Sequence, residues 1–92
     1  MTETEKLDYN SLSREEQEHF LSSIETSKEV ANAIAQIAKE DGVSFMKVWG
    51  NERTPKSNIE ETNKRIIDYM RKHIPKELHD DYYYWGETRI KL

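Results

Sequence analysis

Ser27-Lys28-Glu29-Val30-Ala31-Asn32-Ala33-Ile34-Ala35-Gln36-Ile37-Ala38-Lys39-Glu40-Asp41-Gly42 is the stretch whose reading decides the fold. At ~100° per residue, Val30, Ala31, Ile34, Ala35, Ile37 and Ala38 fall on one side of a helical wheel. Asp41-Gly42 supplies the stop, with the glycine suited to the left-handed position that closes a helix. The alanines present small side chains, so another helix can approach this one closely.

The same phase extends upstream through Phe20, Leu21 and Ile24. Ser13-Arg14-Glu15-Glu16 fits a capping box, in which the serine hydroxyl accepts the amide three residues on and the glutamate reaches back. Thr26-Ser27-Lys28-Glu29 is a second start signal. Two helical segments, nearly in phase, are therefore expected between residues 13 and 41. Downstream, Ser57 and Glu60 have the spacing of another capping box, and Ile59, Ile66, Ile67, Met70 and Ile74 mark one apolar face before Pro75 ends the run. Asn63 sits in the middle of that face, where a side-chain amide is expected to find a backbone partner.

Val43 to Trp49 and Tyr82 to Ile90 are β-branched and aromatic, and both read as strands. Alternation along the second places Tyr84 and Ile90 on one face and Tyr83, Trp85 and Arg89 on the other. Each tryptophan is followed by glycine, as Trp49-Gly50 and Trp85-Gly86, with a threonine and an arginine just beyond. Such repeated ends fit paired strands. The fold class expected is mainly helical α+β, with three helical segments and a short two-stranded β element; the alternative is all-α.

With 92 residues there is room for one small domain, here residues 11–92, behind a flexible acidic tail at 1–10 that carries Glu3, Glu5 and Asp8 against Lys6. Hydrophobic residues make up 35% and charged residues another 35%, so the core must be thin, and burial against a partner or a second copy would add to its stability. A homodimer is expected on that ground. There is no cysteine, which excludes disulfides and thiolate metal sites and fits a reducing compartment. The tail has no apolar run of the signal-peptide kind, and no stretch approaches the ~18 apolar residues of a membrane span. A cytoplasmic protein with no membrane association is the expectation. The net charge of −4 argues against a surface built to neutralise phosphates, and so against direct nucleic-acid binding.

A search for catalytic chemistry finds none, and no cofactor or metal is expected. His19, His73 and His79 lack metal-ligand spacing, the three glycines build no phosphate loop, and no serine has the glycine-flanked setting of a nucleophile elbow. Two surface features are more informative. If residues 13 to 40 are helical, Glu15, Glu18, Glu25, Glu29 and Glu40 lie within about 80° of one another, opposite the apolar face. Such a stripe would run ~37 Å, comparable with a turn of duplex DNA. The run Tyr82-Tyr83-Tyr84-Trp85 places four large rings in sequence, and a strand with one inward face must leave at least one or two exposed.

Glu29-Val30-Ala31, Gly42-Val43-Ser44, Val48-Trp49 and Glu52-Arg53-Thr54-Pro55 together resemble the helix-turn-helix regulators related to phage repressors. In that family a Gly-Val-Ser turn leads from the second helix into a recognition helix ending near a tryptophan, and a loop closes at proline. The resemblance covers the middle third of the chain and implies a DNA-binding transcriptional regulator. The chain departs from the pattern in two respects. Gly42 to Trp49 is shorter than the usual recognition helix, and Phe45 and Met46 stand where base-reading polar side chains are wanted.

The reading these features favour is a non-enzymatic interaction or inhibitor protein of the kind a phage or mobile element encodes. Its acidic helix face, acting as a DNA mimic, would occlude the basic nucleic-acid-binding surface of a host protein, a nucleic-acid-processing enzyme, with the aromatic run anchoring the contact or a dimer.

Overall fold

The Ser13 hydroxyl accepts the Glu16 amide at 3.2 Å while Glu16 Oε1 accepts the Ser13 amide at 2.9 Å, so the first capping box forms and α1 runs Arg14–Ser23. The structure, a computed structural model, describes residues 9–92. After α1 the chain breaks: Glu25 takes a left-handed φ of 50°, and α2, Lys28–Asp41, starts afresh behind Ser27. Gly42 closes α2 at φ 66°, ψ 32°, the left-handed cap that the Asp-Gly step indicates.

Residues 43–49 are not a strand. Ser44 accepts the Lys47 amide at 3.1 Å and starts a short helix, α3, Phe45–Trp49. A side-chain cap directly behind a glycine stop favours a helical turn, and Phe45 and Val48, three residues apart, then enter the core together. That joint burial outweighs the β propensity of the segment. The start of α4, Ile59–His73, also differs from expectation by one residue: Asn58 is the N-cap, accepting the Glu61 amide at 2.8 Å, while Ser57 is buried and bonded elsewhere. Ile59, in the first turn of α4, is 46% exposed although it shares the phase of Ile66 and Met70, and the buried residues of the helix are Thr62, Ile66 and Met70.

The β element lies wholly within the segment read as one strand. Tyr83–Trp85 (β1) and Thr88–Ile90 (β2) pair antiparallel, with Tyr83 opposite Ile90, Tyr84 opposite Arg89 and Trp85 opposite Thr88. Gly86 at φ 59° is the first central residue of the two-residue turn, a position in primed hairpin turns that glycine fills without strain. The turn resets the alternation: Tyr83 shares a buried face with Ile90, whereas one continuous strand would have paired Tyr84 with it.

The fold is thus mainly helical α+β, built around α2, which contacts α1, α3, α4 and β1. Val30, Ala31, Ala33, Ile34, Ala35, Ile37 and Ala38 are all buried, more of the helix surface than a single stripe, because neighbours pack on several sides. The segment expected as a tail lies outside the described residues up to residue 8, but Tyr9 is already part of the core. Its ring stacks on Phe45 at 5.0 Å, Phe20 meets Phe45 edge-on at 5.6 Å, and Gln17 Nε2 donates to the Tyr9 carbonyl at 3.0 Å.

Candidate functional site

The two Trp-Gly steps meet around one threonine. Trp49 Nε1 donates to Thr26 Oγ1 at 2.7 Å, the Gly86 amide reaches the same oxygen at 3.4 Å, and Trp85 Nε1 donates to the Trp49 carbonyl at 2.8 Å. Beside them, the Ser27 amide donates to the Tyr84 carbonyl, and the Tyr84 amide to Ser27 Oγ, both at 2.8 Å. Thr26 also bridges Trp85 as an isolated antiparallel pair. A two-stranded ribbon alone is marginal in water. These bonds fix its β1 edge to the α1–α2 loop and the N-terminal end of α2, so the hairpin becomes a rigid shelf.

On the outer side of that shelf stand Tyr82 and Tyr84, 65% and 44% exposed, their rings 6.5 Å apart and within 10° of parallel. Arg89, across from Tyr84, sets its guanidinium carbon 4.0 Å from the centroid of the Tyr82 ring. A cation held over a ring face in this way orders both groups, although on an exposed surface it contributes only about 0.5–1 kcal/mol. The other two rings of the aromatic run turn inward. Tyr83 is buried and donates to the Leu78 carbonyl at 2.8 Å, and Trp85 is half-buried. Burial raises the Tyr83 phenol above its ordinary value, and the Asp81 and Glu29 carboxylates add to the effect.

The five glutamates of the expected stripe are all exposed, but they do not share one helix face. Glu15 and Glu18 belong to α1, where Glu18 lies 3.8 Å from Arg14 in an exposed pair. Glu25 falls in the break, Glu29 in the first turn of α2, and Glu40 at its far end. The break places Glu25 beside the aromatic shelf. Leu21, Ser22, Glu25, Ser27, Tyr84 and Glu87 line an open groove of about 660 Å³. Part of the acidic face and part of the aromatic run are thereby brought together, and Glu25 and Glu29 have no ion pair among the described residues.

Glu40 is engaged internally. Arg65, from α4, donates through Nη2 to Glu40 Oε1 at 2.9 Å and grips Asp41 with both terminal nitrogens, each at 2.9 Å. Thr54 Oγ1 donates to Asp41 Oδ2 at 2.6 Å, Arg65 Nη1 to Ser57 Oγ at 2.7 Å, and Lys56 Nζ to the Glu40 carbonyl at 2.7 Å. The Asp41 side chain is wholly buried. Its bonds from Arg65 hold its pKa below the ordinary carboxylate value against the opposing effect of burial. Glu40 is lowered too, by Gln36 first and then Arg65, and Arg65 is raised chiefly by Asp41. This clasp ties α2, the 54–57 loop and α4 together; sequence analysis gives three of its members other roles, Glu40 in the acidic stripe, Asp41 in a helix stop and Ser57 as a cap.

A second concavity, about 620 Å³, is lined by Trp49, Asn51, Asn63, Ile67, Trp85, the β2 residues and Lys91, and shares Gly86 and Glu87 with the first groove. Asn63 does not have the backbone partner expected for it. The side-chain oxygens of Asn63 and Asn51 are both shut off from solvent and lack a hydrogen-bond donor within the described protein. Asn51 holds a left-handed φ of 59°, which asparagine tolerates better than most residues.

No protein family, curated protein or solved structure matches the chain. No helix among the described residues is long and apolar enough to cross a membrane.

Proposed function

We propose that this protein works by binding a basic macromolecular surface, through the aromatic shelf Tyr82, Tyr84 and Arg89 and the neighbouring carboxylates Glu25, Glu29 and Glu87. The observation that carries the reading is the pair of exposed, parallel tyrosines on a hairpin fixed along one edge, with unpaired glutamates beside the groove. Rigid tyrosines give contact area at little entropic cost, and free carboxylates steer a cationic partner towards them. The partner most in keeping with this chemistry is a host protein that handles nucleic acid, whose Lys/Arg groove the chain would occlude in place of its substrate. The mimicry rests on the Glu25 and Glu29 end of the molecule, since Glu40 is neutralised by Arg65.

A fluorescently labelled oligoarginine peptide stands in for such a groove. It should bind at low salt and weaken as salt rises. Glu25→Lys with Glu29→Lys, and separately Tyr84→Ala, should each weaken binding by about tenfold with the helical circular dichroism intact, whereas Glu40→Gln should change it little. Equal binding by all four proteins would remove the shelf from the account. The helix-turn-helix alternative has one feature in its favour: α2 and α3 are joined by Gly42–Ser44 in a turn of that kind. Against it, α3 spans five residues and each is buried or half-buried. Sequence-specific retardation of duplex DNA in a gel would replace the occlusion reading with that one.

A further inference from the structure

We infer that the open edge of β2 pairs antiparallel with the same edge of a second copy of this chain, in register about Arg89. The inference does not rest on what the hairpin's outer face binds. The hairpin has two edges, and their backbone groups are placed differently. On the β1 edge the Tyr84 amide donates to Ser27 Oγ and the Tyr84 carbonyl accepts the Ser27 amide, both at 2.8 Å, so Tyr84 turns its polar groups away from β2. In an antiparallel ladder the residue opposite does likewise, and Arg89, which faces Tyr84, therefore points its amide and carbonyl away from β1. Neither group is bonded among the described residues. The edge is also accessible, since every residue from Gly86 to Lys91 lines the concavity of about 620 Å³, and Thr88 and Arg89 are exposed. An unpaired edge of this kind is a template for another strand.

The side chains select the occupant. An antiparallel neighbour centred on Arg89 sets position 87 opposite 91 and 88 opposite 90, and in that register the edge is complementary to itself. Glu87 faces Lys91 of the second copy, and the two-fold axis repeats the pairing of opposite charges on the other side. Thr88 faces Ile90, so two β-branched residues meet. Only Arg89 meets its own kind. Its guanidinium is drawn off over the Tyr82 ring, 4.0 Å from the centroid, towards the chain entering β1 and away from the open edge. The Arg89 backbones then exchange both amide-to-carbonyl bonds and join the hairpins into one continuous sheet. Residues opposite one another share a face of a sheet, so the exposed tyrosines of both copies stand on the same side.

Sedimentation of the full chain should show a monomer–dimer equilibrium as its concentration rises towards millimolar. Arg89→Pro removes the edge amide at a strand position where proline is tolerated, and should abolish the dimer with the circular dichroism unchanged. Glu87→Lys and Lys91→Glu each set like charges opposite one another on both sides of the axis, and each should weaken self-association by about tenfold. Mixed together, these two variants regain opposite charges at both positions and should form a heterodimer with the affinity of the original chain, a result particular to the register about Arg89. Monomer at every concentration up to millimolar overturns the proposal. So does a dimer indifferent to Arg89→Pro, or a mixture of the charge variants that associates no more tightly than either alone, since each outcome places the contact elsewhere.

Discussion

The two ends of α2 carry the same kinds of side chain and use them in opposite ways. At the C-terminal end, Glu40 and Asp41 are gripped by Arg65, and Thr54, Ser57 and Lys56 complete the bonding. At the N-terminal end, Glu25 and Glu29 stand in solvent without an ion pair among the described residues, beside two exposed tyrosines. Acidic residues are therefore no guide to function until their partners are known. A carboxylate inside a satisfied network specifies the fold, and one left free on a rigid shelf is available to another molecule.

The sharpest way to break this contrast is to cut the clasp. Arg65→Met leaves Asp41 buried without its counter-charge and should cost about 3–5 kcal/mol in urea unfolding. Near-native stability of that variant would mean that the clasp is ornamental. Acid provides a second approach. Asp41 has a lowered pKa in the folded state, so its contribution is present above the unfolded value of about 4 and is lost as pH falls through the folded one. Wild-type stability should therefore fall below about pH 4, and a larger share of that dependence should disappear in Arg65→Met than in Glu29→Gln. At the other end, Thr26→Val removes the acceptor shared by Trp49 and Gly86 and should cost about 1–3 kcal/mol, loosening the shelf. Glu29→Gln should leave stability within about 0.5 kcal/mol. A larger loss there would show that the free end is structural after all.

Much of the architecture was legible because local signals agreed with the tertiary outcome. The capping box at Ser13, the Asp41-Gly42 stop and Pro75 bound helices where their chemistry says they should. The errors have a common cause, a local rule read without its competitor. Residues 43–49 carry β-formers, but Ser44 behind Gly42 starts a helix that buries Phe45 and Val48 together. In 82–90 alternation competes with a turn signal: Trp85-Gly86-Glu87-Thr88 has glycine where a two-residue hairpin needs it, and a turn inverts the faces beyond it.

The candidate site was legible in its parts and not in its assembly. The aromatic run does leave two rings exposed, as its length requires. That Glu25 would lie beside Tyr84 depends on a break in the helix and on a hairpin edge bonded to Ser27, contacts 57 residues apart in sequence. Asp41 was read as part of a helix stop, and nothing in its neighbours announces an arginine 24 residues on. Long-range pairing of single polar residues has no periodicity to betray it.

The most direct test is an NMR titration of the isotopically labelled protein with oligoarginine at low salt. Amide shifts should concentrate at Glu25–Glu29 and Tyr82–Arg89 and leave Glu40, Asp41 and Arg65 unmoved. Shifts centred on the Arg65 clasp, with the hairpin silent, would contradict the division of α2 into a structural end and a binding end.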